Sequence, residues 1–205
     1  MLLSQGEARF PLVPTLRATL GVKGHRPRVG TWDNKDRVDC FAALDLVGGR
    51  LTTRLLDGPA RAKAVTGRSK VRRLPAAFAA HLRDVARAYP AGRARHPRVV
   101  LVIDNAPWHR GAPIGQVLAE QPHPALYRLP SYSPHLSVVE RLGRVLRRRA
   151  THNRLFAPMA ALRRALRASL CYYQTLRHKV RSLIRAPRNV AQSAAARISC
   201  RGLDQ

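Results

Sequence analysis

Val99-Val100-Leu101-Val102-Ile103-Asp104-Asn105-Ala106-Pro107-Trp108-His109 is the stretch that decides the fold. Its first five residues are apolar throughout and too few for a helix. They read as a central strand buried on both faces. In a layered α/β domain, reacting groups collect at the carboxyl ends of such strands. Asp104 stands at that end. A second acid, Glu140, follows the block Leu129-Pro130-Ser131-Tyr132-Ser133-Pro134-His135-Leu136, at the start of a helical pattern. Only 11 of the 205 residues are acidic, so two carboxylates in such defined settings stand out.

The pattern on either side of the strand completes an alternating order. Met1-Leu2-Leu3 begins a first strand. Pro11, Pro14, Gly21, Gly24, Pro27 and Gly30 punctuate a loop. Residues 37–46 and 50–56 read as a hairpin about Val47-Gly48-Gly49. A basic loop is expected from Arg61 to Arg73. Pro75 then opens a helix with Phe78, Leu82, Val85 and Tyr89 on one stripe. After the central strand come a short helix over 114–120, a strand over 125–129 and a helix from Ser137 to Arg149. A further helix starts at Pro158, with Leu162, Leu166, Leu170 and Tyr173 in line. The order predicts a mixed α/β sheet flanked by helices on both faces. Residues 1–185 form the expected domain, and 186–205, rich in Ala, Ser and Arg, a loosely ordered basic tail.

Charge narrows the partner. Thirty-eight Lys and Arg against 11 Asp and Glu give a formal charge of +27. Most of the cations are Arg, whose planar fork matches phosphate. Such an excess repels itself in a compact state, so an anionic partner is expected, and nucleic acid is the first candidate. Cys40, Cys171 and Cys200 form no CxxC or Cys/His ligand pattern, which argues against zinc and against a disulfide framework. No apolar run approaches the roughly 18 residues of a membrane span. No signal peptide is visible, and the expected location is the cytoplasm, on DNA.

Each acid also has a purely structural reading. Asp-Asn after a strand caps turns, and Ser137-Val138-Val139-Glu140 is a capping box. Glu140 also stands four residues before Arg144. His109 alone is a polar loop residue. The segments in combination are more specific. The Asp104–His109 block followed by the 129–141 block, with Arg147-Arg148-Arg149-Ala150-Thr151-His152-Asn153 and Val180–Ile184 behind, resembles bacterial insertion-sequence transposases of the mariner-like superfamily. Leu2 to Phe10 resembles the strand that bears the first catalytic acid in that family.

The resemblance implies an RNase H-like fold and a DDE set of metal-binding acids. Asp104 matches the second acid and Glu140 the third, as catalytic residues and ligands of Mg²⁺ or Mn²⁺. The first falls on Gly6, which has no ligand atom. Glu7, Asp39 and Asp45 are the conceivable substitutes, although Glu7 would point to the opposite face of its strand. His109, Arg147, Arg148 and Arg149 are the expected DNA contacts. Gly143 stands where the family commonly has Trp. Relatives carry helix-turn-helix modules ahead of this domain, so the chain is expected to be a catalytic-domain fragment. It would act on transposon ends and target DNA, as a homodimer or paired with a full-length transposase. Activity is expected to be impaired by Gly6. The alternatives are a non-catalytic DNA-binding relic and, on the same fold, an RNA-acting nuclease.

Overall fold

The computed structural model describes residues 1–31, 36–58, 68–91, 99–130 and 139–184. Five strands form one sheet in the order β3-β2-β1-β4-β5. They are β1 (Leu2–Pro11), β2 (Arg37–Asp45), β3 (Leu51–Asp57), β4 (Val99–Ile103) and β5 (Pro124–Arg128). β1 pairs antiparallel with β2 and parallel with β4, and β5 continues parallel beside β4. β4 has the expected boundaries, and the hairpin of β2 and β3 forms where its glycines predict. Gly49 turns it with φ +70°, a conformation that favours glycine.

Strand alternation sends neighbouring residues to two separate cores. Leu3, Phe41, Leu101 and Ile103 pack under α1 (Arg68–Ala88) and α2 (Ala112–Glu120), where Phe78, Leu82, Val85 and Val117 meet them. Phe10, Val38, Cys40 and Leu44 pack on the other face. They lie under α3 (Val139–Leu146), α4 (Met159–Thr175) and α5 (Arg177–Ile184), through Leu142, Leu146, Leu162, Leu166 and Val180. The stripes read from 3.6-residue periodicity are thus the buried faces of α1 and α4.

Several boundaries differ from expectation. α1 begins at Arg68, so Pro75 lies inside the helix rather than at its start. Its ring removes one helical hydrogen bond, while the apolar stripe beyond it still docks on the sheet. The end of the expected basic loop is therefore helical, and 59–67 lies outside the described residues. The helix expected through Arg149 is α3 followed by a π-helical turn, Arg147–Thr151, in which the His152 amide donates to the Arg147 carbonyl at 2.8 Å. α4 ends near Leu176, and α5 is a separate helix. Ser137, the Tyr132-Ser133-Pro134 block and the tail at 186–205 lie outside the described residues. Among the described residues, no helix is long and apolar enough to cross a membrane.

Candidate active site

β1 supplies the first position. Phe10 belongs to the α3–α4 core, and Ala8 packs against it, so by alternation Gly6 faces the same way. The parallel register pairs Ser4 with Val102. Two residues on, Gly6 is level with Asp104 at the end of β4.

α3 supplies the third. A Cβ on Gly143 would lie 3.4 Å from Ala8 Cβ. One turn later, Arg147 stacks over the Phe10 ring at 5.5 Å and donates to the Arg9 carbonyl at 3.4 Å. The helix therefore runs in the same direction as β1. Glu140 stands three residues before Gly143, about 4.5 Å back along the axis, on the side of the Gly6 end of the strand by helix direction. Glu140 is exposed, in the first turn of α3. Gly6 and Asp104 thus lie level on neighbouring strands, and Glu140 opens the helix that packs on β1.

Asp104 is ionised and oriented. Its Oδ1 accepts the Ala106 amide at 3.0 Å and lies 2.9 Å from His109 Nδ1. The hydrogen bond from His109 holds its carboxyl below the usual carboxylate range, against the opposing pull of partial burial. The side chain is still 61% exposed. Asn105 donates to the Leu129 carbonyl at 2.6 Å and ties the turn to the end of β5.

His109 is among the expected DNA contacts, and in the structure its side chain is buried. The residue sits on a 3-10 turn, Pro107–His109. Its Nε2 lies 2.8 Å from Glu7 Oε1 and its Nδ1 faces Asp104. Burial pulls the imidazole down, but the bonds to Asp104 and Glu7 outweigh it and raise the pKa to about 9. Each ring nitrogen thus faces a carboxylate oxygen, an arrangement that favours the protonated imidazole.

The substitutes for a first acid are placed elsewhere. Glu7 points away from Gly6's face and is engaged by His109. Asp39 is 3% exposed. Its carboxylate is held by Arg37 at 3.2 Å and by Arg9 and Arg73 at 3.6 Å each. Asp45 caps the hairpin through the Val47 amide at 3.0 Å. Among the described residues, no group of three or more His, Cys, Asp or Glu side chains could hold a metal ion. Asp104 and Glu140 are exposed carboxylates, the donor type that hydrated Mg²⁺ takes.

The three arginines separate. Arg147 is half-buried and anchored on Phe10. Arg148 and Arg149 are exposed. Arg149 lies 3.7 Å over the Tyr172 ring, whose hydroxyl accepts a hydrogen bond from Lys179. Sequence reasoning gave Asn153 no structural role. At φ +56° it accepts the Arg17 amide at 2.8 Å and donates to the Arg17 carbonyl at 3.0 Å, pinning the long β1–β2 loop. It also missed the Glu7–His109 bond, which joins positions 102 residues apart.

Comparison with solved structures finds the same fold in the Mos1 mariner transposase. Its paired-end complex with Mn superposes with a TM-score of 0.56 at 18% identity, covering 89% of this chain and 53% of that one. The Mos1 strand transfer complex gives 0.54 at 18% identity, covering 89% and 52%. A pre-cleavage Mos1 transpososome gives 0.53 at 16% identity, covering 89% and 53%. This chain spans about half the length of those chains. No curated protein sequence matches it. The RNase H-like α/β fold is the one expected. The family model of the DDE superfamily endonucleases matches residues 2–163, and the chain belongs to that family.

Proposed function

We propose that the chain is a transposase catalytic domain acting on DNA by metal-dependent strand cleavage and strand transfer, strongly impaired by Gly6. The observation that supports this reading is the register that levels Gly6 with Asp104, together with the packing on β1 of α3, the helix that opens with Glu140. Mg²⁺ or Mn²⁺ would be held by Asp104 and Glu140, and would sharpen the attacking oxygen and stabilise the leaving one. Mos1 complexes with Mn and with Mg are known for the same fold. Water would attack a backbone phosphorus and release a 3′ hydroxyl. That hydroxyl would then displace an oxygen at a target phosphodiester. Asp104 serves as an oriented anion, with one oxygen tied to the protein. Removing one member of a cooperating catalytic set costs on the order of 10⁴ in rate. DNA ends and target would be the partners, with a second copy or a full-length transposase completing the assembly. The test is cleavage and joining of short duplex DNA with Mn²⁺. Gly6→Asp is expected to yield cut and joined products, and the natural chain almost none. Equal rates for the two would overturn the reading.

A second reading is a non-catalytic DNA-binding relic, favoured by Gly6 together with the exposed Arg148 and Arg149. If about six phosphates are neutralised, affinity falls with salt at a log–log slope near −5. A flat response would remove this reading.

A further inference from the structure

We propose that Glu7 is a positioning residue, which acts through His109 to fix the Asp104 carboxylate with one oxygen tied down and the other turned outward to a divalent cation. The cation part rests on the reading of Asp104 as a metal ligand. The brace itself rests on geometry. His109 is buried, with Nε2 2.8 Å from Glu7 Oε1 and Nδ1 2.9 Å from Asp104 Oδ1. The ring is also held from outside this line. Phe78 packs at 4.2 Å between centroids, and Trp108 meets it edge-on at 6.1 Å. The His109 carbonyl accepts from Arg128 at 2.9 Å. Asp104 Oδ1 has two donors, His109 and the Ala106 amide. Among the described residues, Oδ2 has no hydrogen-bond partner.

The topology explains why this acid is Glu7. β1 lies beside β4, so its residues are level with the end of that strand. Gly6 faces α3. Glu7, one residue on, faces the α1 layer, where the 3-10 turn folds His109 back under the sheet. One strand thus offers a ligand position on one face and a brace on the other. Without Glu7, Nε2 would face the aromatic wall unpaired, and a buried donor without an acceptor is costly. The ring would then turn toward another partner and release Asp104. Partners that orient a ligand in this way commonly change metal affinity 10–100-fold when removed.

The test uses Glu7→Gln, which still offers His109 a hydrogen bond, and Glu7→Met, which keeps the volume without one. In the metal-free natural chain, histidine-labelled NMR is expected to show the His109 Nε2–H, slow to exchange. Glu7→Met is expected to lose this protection and Glu7→Gln to keep it, with near-UV circular dichroism unchanged in both. In the Gly6→Asp background, Mn²⁺ affinity by electron paramagnetic resonance is expected to fall 10–100-fold with Glu7→Met and to stay near the parent with Glu7→Gln. Unchanged His109 signals and Mn²⁺ affinity in Glu7→Met overturn the proposal. A fast-exchanging Nε2–H in the natural chain overturns it without any variant, should Glu7→Met fail to fold. Failure of the Gly6→Asp parent to bind Mn²⁺ instead overturns Asp104 as a ligand, and the imidazole signals then decide the brace alone.

Discussion

Acid should weaken this fold through His81. Its side chain, on the sheet-facing side of α1, is 0% exposed and 6.1 Å from the Phe41 ring. Neither ring nitrogen has a hydrogen-bond partner among the described residues. Burial lowers its pKa from 6.5 to about 4, with Asp84 opposing and Arg54 and His109 assisting. Because the folded-state pKa is depressed, the unfolded chain binds the proton first. Stability is therefore complete above pH 6.5 and lost as pH falls toward 4. A shift of one pKa unit corresponds to about 1.4 kcal/mol, so the loss is about 2 kcal/mol at pH 5 and about 3 kcal/mol at pH 4. His81→Leu removes the titrating group and fills the space with an apolar side chain. Urea unfolding of both proteins at pH 7, 6 and 5 isolates the effect. The advantage of His81→Leu is expected to grow by about 2 kcal/mol from pH 7 to pH 5. A constant difference across that range would refute a buried, neutral His81.

The remaining predictions probe other contacts. His109 behaves in the opposite sense to His81. Its pKa is raised to about 9, so its contribution is fully present below pH 6.5 and is lost as pH rises through 9. Melting curves from pH 7 to 10 should show a decline that His109→Gln lacks. Gly143→Ala should stabilise α3 by about 1 kcal/mol, because its Cβ meets Ala8 at 3.4 Å, an ordinary contact. Thermal unfolding checks this, and destabilisation would mean the helix sits closer to β1. Arg148→Ala and Arg149→Ala should each lower the salt slope of duplex binding by about one. Arg147→Ala should show instead as lost stability, since its guanidinium is held on Phe10.

Local patterning made much of the fold readable. β4 is an unbroken apolar run, and its boundaries follow directly. The hairpin announces itself through Gly48-Gly49, and the stripes of α1 and α4 through their period. Positions that depend on distant partners were not readable. Pro75 marks a helix start by local rules, but here the helix extends through it. The π turn at Arg147–Thr151 has no local signature. His109 has the composition of an exposed loop residue. Only the return of the 3-10 turn beneath β1 brings it to Glu7 and buries it. For the site, the motif blocks brought out Asp104, Glu140 and the gap at Gly6, but not that Asp39 is enclosed by three arginines. A lone acid in a basic chain looks available until its neighbours are known.

The most direct measurement is nicking of supercoiled plasmid with Mg²⁺ or Mn²⁺ by the natural chain, Gly6→Asp, and Gly6→Asp with Glu140→Ala. The account predicts nicking by Gly6→Asp alone, because an acid at position 6 would complete the set formed with Asp104 and Glu140. Equal nicking by the natural chain would contradict it, since another group would then be supplying the third carboxylate. Nicking that survives Glu140→Ala would contradict the placement of α3 over β1 as the source of the third acid.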